Sequence, residues 1–186
     1  MCWQSLSEEQ LGCPGCPGVF LNYHGGMNQG EVLHILTAPD AGGTIESRQQ
    51  VKAIEGEGLE GDRFRDPTRP ADQDHRRDTD VTLIEIENLE WFRESQGLPL
   101  EPEEFRRNIV TRGIQLNDLV GKQLRVGEVV MEGRRLCEPC AKLQKRLGRQ
   151  ILPAMVHRGG LNCRIVSGGE IRVGDAVEPM EDDKSA

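Results

Sequence analysis

Two thiols separated by two residues, in Cys137-Glu138-Pro139-Cys140-Ala141-Lys142-Leu143, carry the most reactive chemistry in this sequence. They follow a strand-like run and precede a helix-like one. A thiol at a helix start lies among N–H groups without intrahelical partners, beside the positive end of the helix dipole, and both favour thiolate. Thiolate is the form that attacks electrophiles, carries sulfur or binds a soft metal. Cys140, next to the helical run, is the first candidate and Cys137 the second. The spacing fits three chemistries. One thiolate can be a sulfur carrier or a ligand to a soft metal. Both can join Cys13 and Cys16 in a four-thiolate zinc site. Or Cys-Glu-Pro-Cys can be a redox pair, although a thioredoxin-type motif belongs in a first βα unit and here most of the chain precedes it. Two inert thiols in a turn are the structural alternative. A zinc deaminase is disfavoured because its second cysteine would fall on Leu143. His24, His34 and His75 are too scattered to form a metal-binding spacing.

Arginines form a second layer around this motif. Arg76-Arg77, Arg106-Arg107-Asn108 and His157-Arg158-Gly159-Gly160 bring guanidinium groups whose planar forks match phosphate and carboxylate geometry. If several converge they make an anion pocket. If not, each pairs with a nearby Asp or Glu on the surface, where such pairs contribute little.

The elements that must position these residues are short. Glu31–Thr37 reads as a strand ended by Pro39 and Gly42-Gly43. Gln50–Ile54 alternates polar and apolar residues, as a half-buried strand does. Residues 63–80 carry five arginines and almost no core residues, so this long loop is expected to border a functional pocket. Val81–Ile84 is a strand, and 85–92 is helical, stopped by Gly97 and Pro99. Pro102–Arg106 starts a second helix, and 108–111 returns to strand. Gln123–Val126 and Val129–Glu132 flank Gly127-Glu128 as a hairpin. A helix follows from 141 to about 150, where Pro153 interrupts or ends it. Asn162–Val166 and Glu170–Val173 around Gly168-Gly169 give the strongest hairpin signal. Many short strands with turn signals and a few helices predict a mainly β fold with helical insertions, a closed or partly closed barrel.

Composition narrows the partners. The chain has 186 residues, 36% of them hydrophobic and only 4% aromatic, so aliphatic side chains must build one sizeable core. A net charge of −8 opposes nucleic acid or an anionic membrane as main partner. No apolar run approaches the ~18 residues of a membrane span, and the first residues lack the basic and apolar regions of a secretory signal. Six cysteines in a chain this long, with two Cys-x-x-Cys pairs, are expected as free or metal-bound thiols in a reducing cytoplasm.

The order of motifs is similar to that of a known family. Val51-Lys52-Ala53-Ile54 and Gly58-Leu59-Glu60-Gly61-Asp62-Arg63-Phe64 come first, then Val81-Thr82-Leu83-Ile84 and Arg107-Asn108-Ile109-Val110. Leu119–Gly127, Glu138-Pro139-Cys140-Ala141-Lys142-Leu143, His157-Arg158-Gly159-Gly160-Leu161 and Gly168–Asp175 complete the set. Together they resemble a MOSC domain, named for the C-terminal part of molybdenum cofactor sulfurases. The resemblance divides the chain into an irregular leader (1–29), the MOSC domain (30–178) and an acidic tail (179–186). It implies a MOSC-type β-barrel and one key cysteine, which falls on Cys140. The family's Arg-Asn falls on Arg107-Asn108. It also implies binding of the molybdenum cofactor (molybdopterin), whose phosphate suits Arg76, Arg77, Arg107, Arg158 and their neighbours Asn108 and His157. Relatives include reductases of N-hydroxylated compounds, in which the cysteine ligates molybdenum. The resemblance therefore implies either a cofactor-binding protein or a sulfur carrier, and leaves open whether the chain is an enzyme on a small-molecule substrate. Nothing here matches the pyridoxal-phosphate half of the sulfurases, so sulfur would come from a donor such as a cysteine desulfurase. The Cys13/Cys16 leader lies outside the pattern and keeps a zinc-stabilised, non-catalytic binding module as the alternative.

Overall fold

A computed structural model describes residues 29–40, 42–63, 65, 79–148 and 150–180. The expectations for Cys13, Cys16, Arg76 and Arg77, and for the acidic tail beyond residue 180, fall outside these residues. Strand β1 (Gly30–Thr37) is followed by β2 (Glu46–Arg48), β3 (Gln50–Ile54), β4 (Gly58–Leu59) and β5 (Val81–Glu85). Helices α1 (Ile86–Gln96) and α2 (Pro102–Phe105) lead to β6 (Ile109–Arg112), a 3-10 turn at Leu116–Leu119, β7 (Gln123–Val126) and β8 (Val129–Leu136). The chain ends in α3 (Ala141–Leu147), α4 (Leu152–Met155), β9 (Leu161–Ser167), β10 (Gly169–Arg172) and β11 (Ala176–Pro179).

Seven strands close into a barrel in the order β1, β11, β7, β8, β9, β5, β6 and back to β1. Closure leaves no open edge among them, which removes the unpaired N–H and C=O groups that an open sheet presents. Neighbours are antiparallel except β5 and β6. A parallel pair cannot be joined by a tight turn and needs a crossover. Here α1 and α2 supply it. Strand β2 extends β1 beyond the barrel, and β10, β3 and β4 make a separate three-stranded sheet.

Two cores result. Inside the barrel lie Val32, Ile35, Leu83, Ile109, Met131, Leu161, Cys163 and Ile165, among others. Outside it, Leu36, Ile84 and Val110 point the other way and meet Ile86, Leu89, Phe92, Phe105, Leu143 and Met155 from the helices. The alternation is the period of two at work: β5 is buried along its whole length, so Leu83 serves one core and Ile84 the other. Phe92 and Phe105 meet edge to face at 5.9 Å, joining the two crossover helices. Among the described residues no helix is long and apolar enough to cross a membrane.

Two expectations are corrected. Gly168-Gly169 does turn the chain, but β9 and β10 do not pair as a hairpin. β9 stays in the barrel between β8 and β5, while β10 crosses to pair with β3 from Gly169↔Ala53 to Arg172↔Gln50. The helix from 141 stops at Leu147, because Gly148 turns left-handed at φ +63° and closes it. Pro153 then sits in the first turn of α4, where a missing N–H costs nothing, rather than ending α3.

Phe92→Ala should cost about 3–5 kcal/mol in urea denaturation, since the ring is fully buried against Phe105. Its neighbour Trp91 is 39% exposed, and Trp91→Ala should cost about 1 kcal/mol, the value of its cation–π contact with Arg158. Equal losses would contradict the second core.

Candidate functional site

The site starts where the β8–β9 ladder ends. Leu136 pairs with Leu161, and one step further the Cys137 N–H donates to the Gly160 carbonyl at 2.7 Å. A side chain at Gly159 would collide with the Cys137 carbonyl oxygen, and one at Gly160 with the Leu83 carbonyl oxygen. Gly160 also holds φ +97°, a conformation that suits glycine. This glycine pair lets three backbone segments lie flush. The chain then runs extended to Cys140, the N-cap of α3, whose Sγ accepts the Leu143 N–H at 3.4 Å. Leu143 is buried in the outer core and anchors the helix.

The three described thiols are chemically distinct. Cys140 is exposed, Cys137 half-buried and Cys163 fully buried. Burial pushes the Cys163 thiol up, with smaller contributions from Cys137 and Asp80, so Cys163 stays protonated and inert.

Arg107 braces this segment. Its Nε donates to the Gly159 carbonyl at 2.8 Å, its Nη2 to the Cys137 carbonyl at 3.2 Å and its Nη1 to the Phe105 carbonyl at 3.1 Å. Asn108 is buried beside it. Its Oδ1 accepts the Thr82 N–H and hydroxyl at 3.1 and 2.8 Å. Its Nδ2 donates to Asp62 Oδ2 at 3.1 Å and to the Leu36 carbonyl at 3.3 Å. Asp62 Oδ2 also accepts the Ala38 N–H at 2.9 Å. This network fixes the floor of a small open cleft, whose lining includes Ile45, Asp62, Arg63, Arg106, Arg107 and Asn108.

Arg106 gives the cleft its character. It follows α2 in the left-handed region at φ 56°, unusual for a residue with a side chain. Its Nη1 donates to the Gly43 carbonyl at 2.9 Å. Its Nη2 is buried and has no hydrogen-bond partner among the described residues. Burial holds the guanidinium below its usual range, and the positive charges of Arg146 and Arg63 add to this, opposed by Asp62. An arginine stays charged regardless. On this partly buried cation beside other cations, an anion would both fill the missing hydrogen bond and relieve the repulsion.

The sequence-predicted residues fall into three groups. Cys140, Cys137, Arg107 and Asn108 come together around the cysteine segment and the cleft. His157 and Arg158 lie on the adjoining segment but turn elsewhere: the His157 ring meets Glu138 at 2.8 Å, and Arg158 lies 4.1 Å over Trp91 and donates to Asn88 at 3.1 Å. Arg76 and Arg77 lie outside the described residues. Of the 63–80 loop, Arg63 lines the cleft. Arg146, six residues beyond Cys140 on α3, was not singled out by its sequence context. Among the described residues no group of three or more His, Cys, Asp or Glu side chains is placed to hold a metal, and Cys13 and Cys16 lie outside them.

A family model of the MOSC domain matches residues 45–178. No curated protein matches the chain. Among solved structures, the YuaD protein of Bacillus subtilis is 16% identical, with a TM-score of 0.69 over 81% of this chain and 95% of that one. YiiM from Geobacillus stearothermophilus is 16% identical, with a TM-score of 0.61 over 82% and 75%. YiiM from Escherichia coli is 20% identical, with a TM-score of 0.56 over 83% and 72%. These likenesses establish the fold.

Arg107→Lys should destabilise the protein by about 2 kcal/mol, because one ammonium cannot reach three carbonyls set for a planar fork. Thermal melting checks this. In limited alkylation with peptide mapping, Cys140 should label first and Cys163 last.

Proposed function

The chain belongs to the MOSC domain family, which is associated with molybdenum cofactor binding, and on that premise we propose that it binds this cofactor, with the Cys140 thiolate as molybdenum ligand and the arginine cleft as the seat of the pterin phosphate. The observation that carries this reading is the buried Arg106 Nη2, which lacks a partner in a cleft that shares Arg107 with the cysteine segment. The donor set fits the group. Cys140 offers an exposed sulfur, which suits a thiolate-seeking metal. Arg106, with Arg63 and Arg146 nearby, offers what a phosphate needs.

When bound, the cofactor supplies a metal centre able to exchange electrons and oxygen or sulfur ligands. The chain's own residues hold and orient. Arg107 ties the carbonyl of Cys137 to the cleft wall, which fixes the start of the cysteine segment relative to the arginines. Asn108 and Thr82 hold Asp62 in place, which keeps one carboxylate beside Arg106 without letting it reach the unpartnered nitrogen. Cys140 stands exposed as the N-cap of α3, where a metal could reach its sulfur.

The test is to produce the full chain in a host that makes the cofactor, then measure molybdenum by plasma mass spectrometry and pterin by fluorescence after oxidation. Molybdenum and pterin should copurify with the protein. Cys140→Ser should lower molybdenum about tenfold or more, and Arg106→Ala should lower bound pterin, while Cys137→Ser should change neither by more than about twofold. Stoichiometric zinc whose chelation unfolds the chain would replace this reading with the zinc-stabilised module built on Cys13, Cys16, Cys137 and Cys140. A persulfide on Cys140 without molybdenum would instead mark a sulfur carrier fed by a separate donor.

A further inference from the structure

The geometry points to Glu138 and His157 as a positioning pair that fixes the direction of the Cys140 thiol. Three residues separate the braced Cys137 from the first turn of α3. Among the described residues, the backbones of Glu138 and Pro139 make no hydrogen bond. The side chain of Glu138 makes two. Its Oε2 accepts the His157 N–H at 3.0 Å, and its Oε1 meets His157 Nδ1 at 2.8 Å. Among the described residues, this clasp is therefore the hydrogen-bonded hold on the two residues between the braced Cys137 and the cysteine that caps the helix.

His157 is the second, independent sign. It sits at φ 60°, a conformation that side chains rarely adopt, three residues before a glycine that holds a positive φ of its own. Glycine would fill the same backbone position without strain. A histidine adds what glycine lacks, a ring nitrogen for the second carboxylate oxygen. The turn is held from its other side as well, since Asn117 Nδ2 donates to the His157 carbonyl at 2.8 Å. A strained residue held by three hydrogen bonds, all of them next to the functional segment, is over-determined in the way that sites requiring a fixed geometry are. The pair touches neither the cleft arginines nor the thiol itself, so it acts through the segment.

This proposal rests on Cys140 being the functional thiol, as read above, but its test needs no cofactor. The full chain, free of cofactor, is treated with iodoacetamide and the Cys140 adduct is quantified by peptide mapping. Glu138→Ala and His157→Gly should each slow Cys140 alkylation by about threefold or more, and the double variant should be no slower than Glu138→Ala alone. Glu138→Gln, which retains one acceptor, should recover much of the rate. A merely structural role would lower the melting temperature without this pattern. The proposal is overturned if the rates are unchanged or faster, if the two effects add, or if Gln behaves as Ala does. Should Glu138→Ala fail to fold, His157→Gly and Glu138→Gln carry the comparison, with unchanged alkylation in His157→Gly overturning it. Molybdenum binding is measured separately, so either reading can fail without the other.

Discussion

Everything near the cysteine depends on one guanidinium. Arg107 donates to carbonyls of three segments, Phe105 at the end of α2, Cys137 after β8 and Gly159 before β9. The Cys137 and Gly159 segments are already joined by the Cys137 N–H to Gly160 carbonyl bond, and Arg107 ties both to the end of α2. A planar cation with a fixed fork orients all three at once, and such charge-assisted bonds are stronger than neutral ones. The barrel makes this possible. The parallel β5–β6 pair places the residues before β6 beside the open end of the β8–β9 ladder, so the brace spans a short gap.

The local charge runs against the global one. The chain carries a net charge of −8, yet Arg63, Arg106 and Arg146 gather around one cleft. Bulk charge governs long-range encounter, while a pocket's chemistry is set by groups within a few ångströms and by how poorly water reaches them. Asp62 is the nearby opposite charge, and its Oδ2 is already committed to Ala38 and Asn108. The cleft thus keeps unspent donor capacity at Arg106 Nη2, which is what distinguishes it from the exposed ion pairs elsewhere, such as Arg125 with Glu178.

Much of this was legible in the sequence, and the failures have physical causes. Cys140 at a helix start follows from a cysteine placed before a helical run, and the β7–β8 hairpin follows from Gly127-Glu128 between alternating strands. Both are local. The β9–β10 pairing was misread because a Gly-Gly turn says that the chain reverses but not which strand it meets next, and β3 lies far away in sequence. The arginines divide on the same line. Arg107 reads as an anion ligand in the sequence and does line the cleft, but its bonds to three carbonyls are a role that only the folded backbone assigns. Arg106 stood beside it in the sequence, and what makes it the cleft's cation is a left-handed φ that no local pattern announces. Arg63 and Arg146 reach it from two other segments, which only the closed barrel brings together.

X-ray absorption at the molybdenum edge of the cofactor-loaded protein tests the central claim most directly. The account expects one protein-derived sulfur among the metal's neighbours, present in the wild type and in Cys137→Ser and absent in Cys140→Ser. Identical spectra for the wild type and Cys140→Ser would contradict it, because the metal would then take no ligand from the residue around which this site is built.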